Sequence, residues 1–123
     1  MQIEALQVPS LVSQFERYVG QEVRVQGYFA LAEKEGYLVS SPEAREKTSE
    51  AIHIDEPKLK KEALATIPPL GGGKYYYLHQ ATVVGRVAPS KTSRYACSLV
   101  EVRELEAIIS GECFSIKFGP EAP

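Results

Sequence analysis

Residues 21–31 alternate between apolar and polar side chains, which is the strongest secondary-structure signal in the chain. One face carries Val23, Val25, Gly27, Phe29 and Leu31, and the other carries Arg24, Gln26, Tyr28 and Ala30. A period of two is typical of a strand with one buried face. Gly27 inside this run predicts a bend or a bulge.

Four more segments combine β-branched and aromatic residues with turn residues at their ends, a pattern typical of strands. They are residues 37–40, 51–55, 75–88 and 95–109, the last of them clearest over 96–104. A turn over residues 33–36, with Gly36 free to adopt a positive φ, joins the first two strands as a hairpin.

Helical spacing occurs twice. In residues 10–19 the apolar side chains of Leu11, Phe15 and Val19 follow i, i+4, i+8 spacing, Ser10 is placed as the N-cap, and Gly20 suits the position just past the helix end. In residues 58–67 the apolar positions 59, 63 and 67 repeat that spacing, before two prolines.

The remaining segments are predicted as loops and a tail. Residues 41–50 hold several charged side chains and one apolar side chain, so we expect an exposed loop, and residues 71–74 form a flexible connection. In the apolar, flexible tail of residues 109–123, Phe114, Ile116 and Phe118 alternate. That alternation suits an added edge strand or docking on the body, and the last five residues are expected to fray.

Composition places the chain among globular proteins. Its 123 residues, 44% hydrophobic and 24% charged, predict a single domain over 1–123 and exclude a disordered chain, a collagen and a coiled coil. The net charge of −2 disfavours binding to nucleic acid by bulk charge.

No secretory leader and no apolar run of about 20 residues is visible, so we expect a cytoplasmic protein without membrane contact. Cys97 and Cys113 are expected to be reduced and at least partly buried, with a disulfide as the alternative.

The order of predicted elements is a short helix, three strands, a helix and two strands. Residues 20–27 read G-x-x-V-x-V-x-G, and residues 83–87 read V-x-G-x-V. Both patterns resemble strands of the OB-fold, a small Greek-key barrel, over about residues 10–108 of this chain. The resemblance implies a mainly β, five-stranded barrel with a helix between strands 3 and 4, and the whole chain resembles small bacterial proteins of this shape. An α+β sandwich with the same element order is the alternative.

Charge is unevenly distributed along the chain. Residues 74–103 carry five basic side chains and one acidic side chain, a net of +4, whereas the remainder carries a net of −6. In an OB-fold this stretch covers strands 4 and 5 and the loop between them, which flanks the usual oligonucleotide face. Cations along a backbone path and aromatic rings for stacking are what single-stranded nucleic acid requires. The candidate ligand-binding residues are Arg24, Tyr28, Tyr37, Arg86, Lys91, Arg94 and Tyr95.

Other motifs favour structural roles. The triple tyrosine at 75–77 is interpreted mainly as strand packing. Residues 71–74 lack the spacing and the Lys-Ser/Thr pair of a phosphate-binding loop. His53 has only Asp55 as a neighbour on its strand face, and two ligands do not make a zinc site. With no activated nucleophile and no convincing catalytic triad, we expect no enzyme, no catalytic residues, no metal and no cofactor.

The leading hypothesis is therefore a non-enzymatic OB-fold module that binds single-stranded nucleic acid or a similar anionic ligand. The alternative is a protein-interaction module, such as an inhibitor or immunity-type partner or an assembly subunit. In that case Phe114, Ile116 and Phe118 are candidates for contact with a protein partner or a second copy of the chain.

Overall fold

The structure, a computed structural model, describes residues 5–32, 35–69 and 75–118. The turn residues 33–34, the glycine-rich loop at 71–74 and the last five residues lie outside the described part. The strands are β1 (Ala5–Gln7), β2 (Glu22–Leu31), β3 (Gly36–Val39), β4 (Ile52–Ile54), β5 (Tyr77–Ala88), β6 (Cys97–Ile109) and β7 (Glu112–Lys117). The helices are α1 (Val8–Tyr18) and α2 (Leu59–Thr66), and two single-turn 3-10 helices occupy Pro42–Ala44 and Thr48–Glu50.

Five strands close into a barrel. β2 pairs antiparallel with β3, β3 with β4, and β5 with β6, while β4 and β6 pair in parallel. An antiparallel β2–β5 ladder over ten residue pairs then closes the ring. The helix α2 lies between the third and fourth barrel strands, and α1 precedes the first. The predicted fold class is confirmed, and the connectivity is compatible with an OB-fold.

The barrel interior holds the apolar face of β2 that the alternation predicted. Val25, Phe29 and Leu31 are buried there, and α2 contributes Leu59 and Ala63 from one side. The Tyr77 ring stacks on Phe29 with centroids 5.7 Å apart. Its hydroxyl lies 2.8 Å from the carbonyl oxygen of Ala63 and 2.7 Å from that of Ile67, where it satisfies the last turn of α2. At least one of the three tyrosines is therefore a core residue, as predicted.

The N-terminal segment differs from the prediction in two respects. Residues 5–7 form a strand, parallel to β2, that the sequence pattern did not indicate. Helix α1 begins at Val8 with a proline in its first turn, so Ser10 lies inside the helix and is not its N-cap. Pro9 explains the earlier start, because its fixed φ suits a first helical turn and its missing N–H needs no partner there. Gly20 has the predicted positive φ of 88°.

Gly27 allows neighbouring elements to pack closely on β2, and it does not form a bulge. The β2–β5 register runs through it without a shift. A Cβ atom at this position would lie 2.5 Å from a Val8 methyl group and 2.8 Å from the Val39 carbonyl oxygen. Only glycine therefore lets α1 and β3 approach β2 at this point. The register shift of the barrel lies instead between Val84 and Arg86, opposite β6.

Part of the predicted tail is an integral strand. β7 pairs antiparallel with the end of β6, after a turn in which Ser110 and Gly111 have positive φ. Ile116 is only 3% exposed in the core, and Phe114 and Phe118 pack against that core. The alternating apolar residues are thus used within the chain, so Ile116 presents no surface to a partner.

A second apolar cluster covers the outer side of the first hairpin. Tyr37 and Val39 on β3, Ala30 on β2, Ala51 and Tyr95 are buried together, with Ala44 of the 41–50 segment packed against them. The outer face of β3, which carries the candidate ligand-binding residue Tyr37, is therefore covered by the chain itself. Most of the 41–50 segment is exposed as predicted, but Ala44 lies against Tyr37 and its neighbours.

The two cysteines differ in environment. Cys97 is buried on β6, and burial raises the pKa of its thiol to about 11. Cys113 is exposed on β7, contrary to the expectation of partial burial, and both thiols are free. Over the described residues, neither helix has the length and apolar character needed to cross a bilayer.

Candidate ligand-binding cleft

Two loops meet at one side of the barrel. One is the β2–β3 connection, of which the structure describes residues 32 and 35, and the other, residues 89–96, joins β5 to β6. Glu35 of the first loop connects them: its Oε1 lies 2.8 Å from Nη1 of Arg94, and its Oε2 accepts a hydrogen bond of 2.5 Å from the Tyr95 hydroxyl. A single carboxylate thus fixes the relative position of loops that are about 60 residues apart in sequence.

Beside this contact is a cleft of about 400 Å³. Its floor is the ring of His53 on β4, stacked on the Tyr95 ring with centroids 4.7 Å apart and an interplanar angle of 16°. Its rim is the segment 90–94 of the β5–β6 loop, which carries three hydroxyl side chains as well as Lys91 and Arg94. Stacked aromatic rings and two cations in one cleft are a combination that suits a planar group attached to an anion.

Both cations at the rim are paired with acidic residues of the same chain. Lys91 Nζ lies 3.0 Å from an Asp55 carboxylate oxygen, and Arg94 pairs with Glu35. The cations are the more exposed partners: their side chains are 77% and 58% exposed, against 25% and 26% for the carboxylates. Exposed ion pairs are individually weak, so an incoming anion can exchange with these carboxylates at small cost.

Burial sets the protonation of the aromatic groups. It lowers the pKa of His53, and the nearby Lys91 and Arg94 act in the same direction, while Asp55 and Glu35 oppose them. Burial also raises the pKa of Tyr95, and its hydrogen bond to Glu35 adds to that shift. At neutral pH the floor is therefore an uncharged imidazole on an uncharged phenol, which leaves Lys91 and Arg94 as the cations of the cleft.

The structure brings together only part of the predicted site. Lys91, Arg94 and Tyr95 line the cleft. Arg24 and Tyr28 lie on the outer face of β2, and Arg86 lies on β5, where it pairs with Glu101 at 3.2 Å and donates to the Gly20 carbonyl oxygen. The +4 stretch is thus divided between separate surfaces.

The predicted stacking rings are less accessible than expected. Tyr37 is 4% exposed, and its hydroxyl donates to the Arg45 carbonyl oxygen at 2.8 Å. Tyr95 is 7% exposed, enclosed by the Tyr37 and His53 rings and the Arg94 guanidinium. Tyr37 is therefore a packing residue that offers no free ring face, and Tyr95 supports the cleft from below. Tyr28 keeps partial exposure.

A larger groove of about 870 Å³ lies elsewhere, between α2, the start of β2 and β6–β7. Four acidic and four basic side chains line it, including Arg86 and Arg103. Arg86 pairs with Glu101 and Arg103 with Glu22, and the aromatic side chain in the lining, Phe118, packs against the core, whereas the smaller cleft is lined by the stacked His53 and Tyr95 rings. We therefore consider the smaller cleft the better candidate.

Sequence reasoning did not identify as site residues the ion-pair partner of Lys91, Asp55, or five residues that line the cleft: Glu35, His53, Ser90, Thr92 and Ser93. Asp55 and His53 were noted as neighbours on one strand face, which is the signal that could have found them. Glu35 was assigned to a turn, and no local pattern links it to residues 94 and 95. Among the described residues, no group of three His, Cys, Asp or Glu side chains is placed to hold a metal ion.

Comparison with known proteins gives no match for this chain among protein families, curated proteins or solved structures.

Proposed function

We propose that this protein is a non-enzymatic binding module of the OB type, and that the cleft between the 32–35 and 89–96 loops binds single-stranded nucleic acid or a similar anionic ligand. The observation that carries this proposal is that Lys91 and Arg94 line the same cleft as the stacked rings of His53 and Tyr95, with the Arg94 guanidinium 5.9 Å from the Tyr95 ring centroid.

The barrel connectivity supports the OB assignment. Its third and fifth strands, β4 and β6, pair in parallel, and a helix connects the third to the fourth. In OB-folds the loops between strands 1 and 2 and between strands 4 and 5 flank the ligand. Here those are the 32–35 and 89–96 loops, the two that Glu35 joins.

The second apolar cluster restricts where such a ligand can lie. Tyr37 and its neighbours cover the outer face of β3, so the broad strand surface used by many OB-folds is filled. The cleft remains open at the loop end. This geometry favours a short contact, with one or two phosphate groups at Lys91 and Arg94 and one base or similar ring near His53.

The proposal that the protein is not an enzyme rests on the chemistry of the cleft. Its imidazole is stacked and neutral, and the nearest carboxylates are paired with cations. A hydrolase would need an activated nucleophile or water beside a general base. The cleft side chains provide contacts for an anion and a stacking surface.

Fluorescence anisotropy of a labelled oligothymidylate of about 15 nucleotides tests the proposal, because single-strand sites span about 4–16 nucleotides. We expect measurable binding at about 20 mM salt that weakens toward about 200 mM, with a log–log slope of about 0.7 per phosphate contacted. The double variant Lys91→Ala with Arg94→Ala is expected to weaken binding about tenfold and to reduce the slope.

A matched control is the double variant Lys47→Ala with Lys61→Ala, which removes the same charge from exposed positions outside the cleft. It is expected to bind as the unaltered protein does. Equal losses in both double variants would indicate bulk electrostatics, and absence of binding at low salt would overturn the proposal.

A protein-interaction module is the second candidate, favoured by one surface. On the outer face of the sheet, Tyr28, Gln80, Ile108 and Cys113 form an uncharged row across β2, β5, β6 and β7, and Ile108 is 45% exposed. Interface cores are depleted of charge and enriched in tyrosine. Two results together would support this candidate over the first. Neither the unaltered protein nor Ile108→Lys would bind the oligonucleotide, and Ile108→Lys would lose a protein that co-purifies with the unaltered chain.

A further inference from the structure

Glu35 occupies the cleft in the way that a bound anion would. One carboxylate oxygen contacts the Arg94 guanidinium and the other accepts the Tyr95 hydroxyl hydrogen. A guanidinium and a hydroxyl that converge on two oxygens of one anion form a hydrogen-bonding arrangement that also suits a phosphate group. The carboxylate is the more enclosed partner, 26% exposed against 58% for the arginine.

We propose that Glu35 is an internal competitor for the ligand of this cleft, so that the protein binds anions only in exchange for the Glu35–Arg94 ion pair. The inference rests on the proposed function. It adds a regulatory element to the cleft, because affinity for the external anion is set by how firmly the Glu35 carboxylate is held.

Two physical effects make Glu35 a competitor. Its negative charge lies within a few ångströms of where a phosphate on Arg94 would lie, and like charges at that distance repel. It also occupies Nη1 of Arg94, so a phosphate that binds this nitrogen must displace the carboxylate. The Tyr95 hydroxyl keeps the carboxylate in place through a charge-assisted hydrogen bond. Asp55 acts in the same sense on Lys91, through an ion pair of 3.0 Å.

The test compares the oligothymidylate affinities of Glu35→Gln and the unaltered protein. Glutamine keeps the size of the side chain and an oxygen that can accept from Tyr95, but removes the charge. We expect Glu35→Gln to bind about three- to tenfold more tightly. We also expect the log–log slope of its affinity against salt concentration to be steeper by about 0.7, which is the contribution of one additional phosphate contact. Tyr95→Phe, which removes only the hydroxyl that holds Glu35, is expected to tighten binding by a smaller factor.

Glu16→Gln is the matched control, since it removes the same charge from an exposed position on α1. Equal tightening in Glu16→Gln and Glu35→Gln would overturn the inference in favour of net charge. A second result would overturn the inference alone. In it the unaltered protein binds the oligonucleotide and loses affinity when Lys91 and Arg94 are replaced, but Glu35→Gln binds with the same affinity as the unaltered protein. The proposed function would then stand. No binding by either the unaltered protein or Glu35→Gln would overturn both.

Discussion

The hydroxyl of Tyr95 donates a 2.5 Å hydrogen bond to the carboxylate of Glu35, across 60 residues of sequence. This contact holds the β2–β3 and β5–β6 connections together at the rim of the barrel. It also places Arg94, the residue before Tyr95, within 2.8 Å of the same carboxylate. The shape of the candidate cleft therefore depends on one acidic side chain.

Removing that hydroxyl should cost stability. Tyr95→Phe keeps the ring on His53 but leaves Glu35 with one partner fewer, and a hydrogen bond to a charged group contributes about 1.5–3 kcal/mol. Urea denaturation should show a loss in that range for Tyr95→Phe. Tyr18→Phe is the control, because the Tyr18 hydroxyl has no hydrogen bond within the described residues, and its unfolding free energy should be unchanged. Equal stability of all three proteins would contradict the role of the contact.

A second buried hydroxyl fixes α2 to the barrel. The Tyr77 hydroxyl lies within 2.8 Å of the Ala63 and Ile67 carbonyl oxygens, and burial raises its pKa to about 12. Tyr77→Phe would leave these oxygens without that donor, at a cost of about 1–3 kcal/mol. The loss should appear in urea denaturation, and amide hydrogen exchange should accelerate first in the last turn of α2. A uniform acceleration across the barrel would indicate that the hydroxyl has no local role.

Gly27 should tolerate no side chain. A methyl group there would meet the Val39 carbonyl oxygen at 2.8 Å, which backbone shifts must relieve at about 1–3 kcal/mol. Gly20→Ala provides the comparison, since its Cβ would have open space and only the positive φ to oppose it, at about 1 kcal/mol. We expect a lower melting temperature for Gly27→Ala than for Gly20→Ala. The reverse order would show that α1 and β3 do not pack on this glycine.

The two histidines predict how stability depends on pH. Burial lowers the pKa of both His53 and His79 below the ordinary value of 6.5. The unfolded chain then binds more protons than the folded chain below that value, so the stabilisation is complete above about pH 6.5 and is lost as the pH falls toward the lowered pKa values. Urea denaturation between about pH 7.5 and 5.5 should show this decrease. His53→Gln should reduce the slope, and an unchanged slope would contradict a buried, neutral imidazole.

The elements that could be predicted from sequence are those with a local signature. The alternation of residues 23–31 identified the inner face of β2, and the spacing of Leu59, Ala63 and Ile67 identified the buried face of α2. The order of strands and helices also fits an α+β sandwich, and the glycine-containing patterns at residues 20–27 and 83–87 favoured the barrel.

What could not be predicted depends on contacts between distant segments. β1 is three residues long and is defined by parallel pairing with β2, which leaves no periodic signal. Tyr37 and Ala30 alternate as outward residues, and it is the returning 41–51 segment together with Tyr95 that buries them. The basic stretch looked like one surface, yet Arg86 and Arg94 occupy different parts of the barrel: Arg86 pairs with Glu101 on the neighbouring strand β6, and Arg94 pairs with Glu35, 59 residues away in sequence.

The most direct measurement of the central claim is a two-dimensional ¹H–¹⁵N NMR titration of the protein with oligothymidylate at low salt. The account predicts that the amide shifts concentrate in residues 90–95, at Glu35 and at His53, and that they are absent in the Lys91→Ala, Arg94→Ala double variant. Shifts confined to the outer row around Tyr28 and Ile108, or to the groove at Arg86 and Arg103, would contradict the assignment of the cleft.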